Sequence, residues 1–330
     1  MGKFIYNSSL PFVKNNYNGN RIEKDRFTNF PFPDPDPSFK KVLKWKLSSN
    51  PQAAQKKSDP FKLDVEFMPS LPEEKGNYLI WLGHASFFIQ YNGIRIITDP
   101  VFGNLPLIQR KAPLPLPIEE LKGLDYILIS HSHRDHFDKS SIQQLLKQNT
   151  KAVVLGPLRM ENLLRKTDGD IHFQQAGWYQ KFDTKKNISI AFLPAIHWHR
   201  RGLFDYNAVL WGSFLISGGT EKIYFGGDSA FGRHYQEIYD TVGAQDISLM
   251  PVGAYKPSFL MKGSHMSPDE AVKAADILRT KTLIPMHYGT FDVSDEPLGE
   301  PVERLLQLDE MEKINAKLEI IKPGAIFKFS

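Results

Sequence analysis

Short apolar runs, separated by polar or glycine-containing turns, make up most of the chain. Three of them, at 78–83, 86–91 and 94–99, are divided by Gly-His and Asn-Gly pairs. They predict a meander of strands in which Asn92-Gly93 forms a two-residue hairpin turn. The run at 125–130 is typical of a buried strand, and it ends directly in histidines.

The same pattern continues through the second half. Ser267, Pro268 and Glu270 are the residue types expected at the N-cap, the first turn and the third position of a helix, and Asp138 is a further N-cap candidate. Because strands are followed by helices in both halves, we predict two packed sheets with helices outside. Further strands are predicted at 152–156, 188–195, 208–217, 222–228, 247–253, 282–287, 318–323 and 325–330. Helices are predicted over 138–148, 158–166, 267–280 and 301–317.

The N-terminal part of the chain differs from the rest. Segments 30–41 and 47–60 are rich in Pro, Ser and Lys, a composition that favours irregular backbone. We interpret residues 1–75 as an arm that wraps over the main domain, residues 76–330, with 43–47 as its anchored piece. A disordered tail is the alternative interpretation.

Composition excludes several classes of protein. The chain has 330 residues, of which 41% are hydrophobic and 24% charged, as in ordinary globular proteins. Its net charge of +4 gives no indication of nucleic-acid binding, and the absence of cysteine excludes disulfides and Cys-ligated metals. No run approaches the about 20 apolar residues of a membrane span, and no secretory signal is recognisable. We therefore expect a cytoplasmic monomer or homodimer whose membrane contact is at most peripheral, at the inner surface.

The sequence His-Ser-His-Arg-Asp-His follows the predicted strand at 125–130. Alternate residues of an extended segment point the same way, so His131 and His133 can share one face. Asp135 and His136 follow as the chain turns toward the next helix. Four ligand-type residues in this order suit two metal ions side by side. Imidazole with carboxylate favours zinc, with manganese or iron as alternatives.

Four residues do not complete two metal sites, and further ligand types follow other predicted strands. His197, Asp228 and His287 each stand where a predicted strand meets a loop. Such strand ends are the usual places for sites in layered α/β folds. A carboxylate offers two oxygens, so Asp228 is able to bridge both metals.

These motifs resemble those of the metallo-β-lactamase fold superfamily. Several runs are more specifically similar to the bacterial relatives of N-acylphosphatidylethanolamine-hydrolysing phospholipase D: GHASFFIQ, IITDPVF, ISHSHRDHFD, HWHRRGLFDYNAVLWGSF, YFGGDSAFG, PVGAYKPSFLMKGSHMSPDEAV and MHYGTFDVSDEPLGEP. The similarity covers roughly residues 76 to 305 in order. It implies a four-layer αββα sandwich of the α/β (α+β) class, with a dinuclear site at the edge between the sheets.

The resemblance also implies a ligand set and a reaction. The implied ligands are His131, His133 and His197 for one metal ion, Asp135, His136 and His287 for the other, and Asp228 as the bridge. Two ions about 3.5–4 Å apart are able to hold a bridging hydroxide at neutral pH. The expected reaction is hydrolysis of a phosphodiester in an N-acylphosphatidylethanolamine-like phospholipid, which gives a phosphatidate and an N-acylethanolamine.

Other polar residues are candidates for contacts around the metals. By the resemblance, His265 contacts substrate phosphate or donates a proton, with capping of the following helix as the alternative. Arg200, close to His197 in sequence, is a candidate for receiving an anionic head group, as are His199 and Arg201, with a solvated basic loop as the alternative. Tyr255 is a candidate for the mouth of the site, with a packed aromatic ring as the alternative. His84 and Asp99 are expected to orient ligands. The expected catalytic residues are Asp135, Asp228 and His265.

Two other functions stay open from the sequence. One keeps the site but hydrolyses a lactone or another ester. The other is a metal-binding or redox protein without hydrolysis, for which iron is the expected metal. The chain also departs from the family in the loop 103–121, where Leu, Pro and Ile stand in place of the expected Ser, Gly and Arg. This loop is either an apolar lip for an acyl chain or membrane, or a packed loop.

Overall fold

The structure, a computed structural model, describes residues 2–36, 39–73, 75–166 and 171–330. Within these ranges the strands form two seven-stranded sheets and one three-stranded sheet. The strands are β1 (Lys3–Ile5), β2 (Asn20–Glu23), β3 (Arg26–Phe27), β4 (Asn77–Gly83), β5 (Ser86–Tyr91), β6 (Ile94–Thr98), β7 (Tyr126–Leu128), β8 (Val153–Pro157), β9 (Phe173–Ala176), β10 (Gln180–Lys181), β11 (Ser189–Leu193), β12 (Ser213–Ser217), β13 (Lys222–Phe225), β14 (Ile247–Pro251), β15 (Thr282–Met286), β16 (Lys317–Leu318) and β17 (Ile326–Phe329). The helices are α1 (Phe39–Leu47), α2 (Ala53–Ser58), α3 (Lys139–Gln148), α4 (Glu161–Arg165), α5 (His234–Val242), α6 (Ser258–Met261), α7 (Pro268–Ile277) and α8 (Glu300–Glu310).

Each large sheet is antiparallel at one side and parallel at the other. The first has the order β17-β4-β5-β6-β7-β8-β9, in which β6 to β9 run parallel. The second has the order β10-β11-β12-β13-β14-β15-β16, in which β13 to β16 run parallel. Parallel strands bring their carboxyl ends to one edge of a sheet, where sites of α/β proteins commonly lie. The loops after β7, β13 and β15, which carry the polar motifs, therefore start at such edges.

The first sheet lies between two apolar layers. Leu79 and Trp81 of β4 are fully buried in a core that also contains Phe214 of β12 in the second sheet. Between them in sequence, Ile80 is buried in another core together with Ile142 of α3. Because side chains alternate across a strand, one face of β4 packs on the other sheet and the opposite face packs on a helix.

Helices cover the outer faces of both large sheets. On the first sheet, α3 and α4 contribute Leu145 and Leu164 to the core that contains Ile80. On the second sheet, α5, α7 and α8 contribute Ile238, Ala274 and Leu305 to the core shared with that sheet. The resulting order of helix, sheet, sheet and helix confirms the predicted four-layer sandwich.

Local signals that were read from the sequence are present in the structure. Asn92 and Gly93 join β5 to β6 with φ angles of 51° and 74°, and a type I′ turn requires positive φ at both positions. Ser267 accepts a hydrogen bond from the N–H of Glu270, whose carboxylate accepts one from the N–H of Ser267 at 3.1 Å. This reciprocal capping box starts α7 as predicted. Asp138 caps α3 through its side chain.

Several predicted elements are shorter in the structure. β12 begins only at Ser213, because the preceding residues turn so that the indole N–H of Trp211 donates to an asparagine of the N-terminal arm. α8 ends at Glu310, well before the predicted end, and Glu312 follows with a left-handed φ of 53° that turns the chain toward β16. Of the predicted strand 318–323, only Leu318 pairs, as part of the two-residue β16.

The segment 47–60, predicted to be irregular, contains α2, and α1 starts within the segment 30–41 and extends over the predicted anchored piece 43–47. This correction has a tertiary cause, because α1 packs against α6 and the indole N–H of Trp45 donates to Asp295 at 2.9 Å. Such contacts override weak local propensity. Residues 37–38 of the predicted irregular run lie outside the described residues. The division of the chain after residue 75 stays a prediction.

Candidate metal centre

Histidine and aspartate side chains from distant segments meet beyond the carboxyl ends of strands from both large sheets. His131 follows β7, His197 follows β11, Asp228 follows β13 and His287 follows β15. All four side chains are buried. Their convergence follows from the topology, since each stands just past the end of a strand in one of two sheets that share a core.

One group of three imidazoles lies on one side of the centre. His133 Nδ1 is 3.1 Å from His131 Nε2 and 3.0 Å from His197 Nε2. One nitrogen from each ring lies within 4.8 Å of one from each of the others, so the three residues are able to hold one metal ion.

A second group lies beside the first. It consists of Asp135, His136 and His287 together with His84, and their ligand atoms also lie within 4.8 Å of one another. Asp135 Oδ2 is 3.3 Å from His84 Nε2, 3.6 Å from His287 Nε2 and 3.8 Å from His136 Nε2. His84 was expected only to orient a ligand, whereas the structure places its ring in the group itself.

The carboxylate of Asp228 lies between the two groups. Its Oδ2 is 3.2 Å from His136 Nε2 and 3.8 Å from His131 Nε2, and its Oδ1 is 3.2 Å from His287 Nε2. Asp228 therefore has contacts to members of both groups, which is the position that a bridging ligand needs.

Several buried atoms of the centre have no hydrogen-bond partner among the described residues. They are His133 Nε2, His136 Nε2, His287 Nε2, Asp228 Oδ1 and His265 Nδ1. Leaving a buried polar atom unpaired costs about 1–3 kcal/mol, so a site with several of them requires another partner. Imidazole nitrogens together with carboxylate oxygens are the donor set of zinc and related divalent cations. The residues present therefore fit metal ions.

The electrostatics of the two groups differ. Burial lowers the pKa of the His133 imidazole to about 3 and holds that of His197 well below its usual range, so both rings are neutral, as metal ligation requires. Burial also disfavours charge on His136 and His287, but the carboxylates of Asp228 and Asp135 together outweigh it. The pKa of His287 rises to about 9 and that of His136 well above its usual value. Without metal, these two rings of the second group therefore bind protons, whereas burial lowers the pKa of His84 to about 3.

Asp99 orients one imidazole of the centre. Its carboxylate accepts a hydrogen bond from His136 Nδ1 at 2.7 Å, and from the N–H and hydroxyl of Ser130 at 2.7 and 2.5 Å. Because Nδ1 is engaged in this way, His136 Nε2 points toward Asp228. The hydroxyl of Ser130 also lies 3.0 Å from His131 Nδ1. Asp99 and Ser130 thus support rings in both groups.

The backbone around the centre is strained. His84, Asp99 and His287 have φ angles of 52°, 32° and 65°. Such conformations cost of order 1–3 kcal/mol each and cluster at functional sites. The N–H of His287 donates to the carbonyl of His84 at 3.1 Å, so two of these residues hold each other. Gly253 packs so closely behind them that a Cβ there would lie 2.0 Å from the His287 carbonyl oxygen.

A cavity of about 660 Å³ opens over the centre. Its wall is basic in one part and apolar in another, and part of the apolar wall comes from the N-terminal arm. The basic lining residues are Arg134, Arg200 and Arg201, and the apolar ones include Val42, Trp45, Trp198, Leu260, Met261 and Val293. The loop 103–121 does not line the cavity, and its Leu116 and Leu121 are buried in the core under α3. This part of the loop is packed, whereas its Leu107 is fully exposed to solvent.

The residues predicted to contact substrate lie in different places in the structure. His265 lines the cavity with Nδ1 3.8 Å from Asp228 Oδ2, and burial lowers its pKa to about 4. Arg200 lines the mouth of the cavity. Tyr255 does not, because its hydroxyl donates to Glu300 in a separate small cavity beside α7 and α8. The prediction that Tyr255 lies at the mouth is corrected accordingly.

Arg201, although it lines the cavity, and His199 both have inward-facing contacts. The guanidinium of Arg201 donates to the carbonyls of Ser132 and Phe137 at 2.6 and 3.0 Å. His199 is buried, and its Nδ1 contacts the hydroxyl of Ser132. Both residues therefore hold the loop that contains His133. This support and the part of the arm in the cavity wall are not evident from the sequence, because neither belongs to a recognisable motif.

Comparison with known proteins identifies the family. The β-lactamase superfamily domain matches residues 94–288 of the chain. The chain belongs to this superfamily. N-acyl-phosphatidylethanolamine-hydrolyzing phospholipase D 1 of Caenorhabditis elegans is 31% identical over 250 residues, which cover 71% of this chain and 70% of that protein. A UPF0173 metal-dependent hydrolase of Hyperthermus butylicus is 30% identical over 258 residues, which cover 76% of this chain and 99% of that protein.

Solved structures of superfamily proteins have the same fold. Igni18, a metallo hydrolase from Ignicoccus hospitalis, superposes with a TM-score of 0.58 at 21% identity, covering 77% of this chain and 98% of that one. The expected metallo-β-lactamase fold is thereby confirmed. The chain belongs to a family of metal-dependent hydrolases with this fold. In the part of the chain that the structure describes, none of the helices combines the length and hydropathy of a membrane span.

Proposed function

We propose that the protein is a phosphodiesterase that uses two divalent metal ions, zinc by preference, to hydrolyse N-acylphosphatidylethanolamine-like phospholipids as a phospholipase D does. The observation that carries the proposal is the cavity, in which the His/Asp centre lies between apolar residues and three arginines. A phospholipid has matching chemistry, with a phosphodiester beside long acyl chains. The C. elegans relative, named for this activity, supports the same substrate class.

The proposed metal ligands are Asp228 and the members of the two groups other than His84, which contacts Asp135. They are His131, His133 and His197 on one side, Asp135, His136 and His287 on the other, and Asp228 between them. When bound, divalent cations supply Lewis acidity and lower the pKa of bound water to about 7.

The chain's own residues bind the substrate and move its protons. Arg134 and Arg200 attract the phosphate to the mouth, and Trp45 and Met261 accept the acyl chain. Hydrolysis transfers the oxygen of water to phosphorus and breaks the bond from phosphorus to the N-acylethanolamine oxygen. His265 is neutral at pH 7 because its pKa is about 4, and its ring N–H is available for a hydrogen bond to the leaving oxygen, which takes up the proton that the water loses.

Contact with a membrane surface at the mouth of the cavity fits this substrate, and we include it in the proposal as peripheral binding. Leu203 and Phe204 are 78% and 86% exposed on the loop that follows Arg200, and Leu47 of α1 is 78% exposed. Exposed apolar side chains beside basic ones suit the boundary between head groups and acyl chains.

The direct test uses a defined N-acylphosphatidylethanolamine and measures the release of N-acylethanolamine and phosphatidate. We expect release by the zinc-loaded protein, loss of release on chelation, and recovery when zinc is returned. Asp228→Asn should lose at least 100-fold in rate, since it removes a charge between the two groups. Asp125→Asn is the matched control. Asp125 precedes β7, at the opposite end of the strand from His131, and its carboxylate accepts a hydrogen bond from the N–H of Arg95.

The same preparation separates the alternatives. A metal-loaded protein that leaves the phospholipid intact but cleaves a lactone or a small ester would contradict the phospholipid substrate and retain the hydrolase. Elemental analysis of protein purified without added metal tests the redox alternative, which requires iron, because zinc has no redox chemistry.

A further inference from the structure

Asn29, in the N-terminal arm between β3 and α1, has a fully buried side chain that contacts the main chain of His197. Its Nδ2 donates to the carbonyl of His197 at 3.0 Å, and the N–H of His197 donates to its Oδ1 at 3.2 Å. One amide therefore holds both main-chain groups of a proposed metal ligand from a segment remote in sequence.

The other two bonding positions of this amide are also filled. The indole N–H of Trp211 donates to Asn29 Oδ1 at 3.0 Å, and Asn29 Nδ2 donates to Asp34 Oδ1 at 2.9 Å. An asparagine side chain has two N–H groups and two acceptor lone pairs. All four are used here, so the orientation of the Asn29 amide is fixed by its partners.

The ring of His197 is fixed by a separate contact. Its Nδ1 donates to the carbonyl of Ser264 at 2.9 Å, which leaves Nε2 facing His133 Nδ1 at 3.0 Å. The Ser264 contact sets the rotation of the ring, whereas Asn29 sets where the backbone that carries the ring lies. A metal ligand requires both the correct rotation of its ring and the correct position of its backbone.

We propose that Asn29 is a positioning residue for His197 and that the N-terminal arm thereby forms part of the metal centre. The proposal rests on the metal site of the proposed function and is independent of the substrate.

A second contact places the arm against the same loop. The N–H of Phe27 donates to the carbonyl of Asn207 at 2.8 Å, and Asn207 Nδ2 donates to the carbonyl of Phe27 at 3.1 Å. Asn207 in turn binds both main-chain groups of His199, at 2.8 and 3.0 Å. The contact of Phe27 with Asn207 therefore aligns the arm with the loop that begins at His197. This alignment brings Asn29 next to the main chain of His197.

The test compares Asn29→Ala with a matched control, Asn20→Ala, in the full-length metal-loaded protein. Asn20 is also fully buried in the arm, but its Oδ1 accepts from the N–H of Trp178, away from the ligands. Retention of zinc is measured by titration with EDTA, the ligand field by the visible spectrum of the Co²⁺-loaded protein, and folding by urea unfolding. A residue that holds a metal ligand in place by hydrogen bonds typically contributes 10–100-fold in metal affinity. We expect Asn29→Ala to release one metal at about tenfold lower EDTA and to change the Co²⁺ spectrum, whereas Asn20→Ala retains both properties of the wild type.

Two results would overturn the inference. One is a folded Asn29→Ala variant with wild-type metal retention, and the other is an equal loss of metal in Asn20→Ala. Should Asn29→Ala not fold, Asp34→Ala replaces it, because Asp34 is exposed and anchors the same amide. Its metal retention should fall in the same direction by a smaller factor, whereas Asp36→Ala, a neighbouring exposed site, should not change it; wild-type retention in Asp34→Ala would then overturn the inference. A wild-type protein that binds no metal would overturn the proposed function as well, which distinguishes the two failures.

Discussion

At the scale of single residues, the proposed centre depends on residues that are not among its ligands. Asp99 is one example, since its carboxylate fixes the ring of His136 through a 2.7 Å hydrogen bond. Gly253 is another, since it leaves the space that the carbonyl of His287 occupies. Each supports a prediction in which the ligands themselves are unchanged.

Asp99→Asn should weaken metal binding without removing a ligand. The amide retains the size of the carboxylate, but it loses the charge that holds His136 Nδ1–H and an acceptor for Ser130. We expect a loss of about 10–100-fold in zinc affinity, measured by competition with a chelator. Asp125→Asn, on the same sheet, serves as control and should bind zinc as the wild type does. Equal affinities for both variants would contradict the orienting role of Asp99.

Gly253→Ala should disrupt the centre by displacing the backbone of His287. The new methyl group would lie 2.0 Å from the backbone oxygen of His287, and backbone cannot swing aside as a flexible side chain does. Overpacking of this kind costs about 1–3 kcal/mol, occasionally more. We expect lower stability in urea unfolding together with reduced zinc content. Gly103→Ala, which meets no atom within 4 Å, should change neither quantity.

At the scale of elements, α7 begins directly after the segment that carries His265. The capping box formed by Ser267 and Glu270 fixes the start of this helix. The helix end therefore sets where the preceding residues lie, including an imidazole that lines the cavity.

Ser267→Ala should reduce stability by about 1 kcal/mol, because the N–H of Glu270 loses its side-chain acceptor. The denaturant midpoint measures this change. Ser140→Ala, at an exposed position inside α3, is the control and should leave the midpoint near that of the wild type. If the cap also positions His265, hydrolysis should fall in Ser267→Ala while the zinc content stays constant; loss of zinc would instead indicate a wider disturbance.

At the scale of the whole molecule, the sandwich has a core that does not include the metal ligands. Both sheets contribute to it, for example Trp81 from one and Phe214 from the other. The fold should therefore persist without metal, while metal binding adds stability, because a ligand that binds only the native state stabilises it.

Chelation should accordingly lower the thermal midpoint without loss of secondary structure. Far-ultraviolet circular dichroism at 25 °C should be unchanged by EDTA, and the midpoint should recover when zinc is returned. At a free zinc concentration of 100 times the dissociation constant, the expected stabilisation is about 2.7 kcal/mol. Collapse of the dichroism on chelation would show that the centre is required for folding.

Much of this architecture could be predicted from the sequence because its signals are local. Asn92-Gly93 and the capping box at Ser267 specify their own conformations, and ligand types at strand ends meet because parallel strands end together. The two arm helices, and the contact from Asn29 to His197, could not be predicted in this way. Their cause is a partner far away in sequence, and composition alone favoured irregular backbone there.

The pairing of β17 with β4 has a consequence for biosynthesis. Phe329 aligns with Asn77 and Ile326 with Ile80, so the neighbour of β4 lies far downstream of it in sequence. A nascent polypeptide thus exposes one side of β4 until β17 has left the ribosome. Such an open edge invites pairing with other chains. A chain truncated before Ile326 should therefore aggregate more readily than one that contains β17.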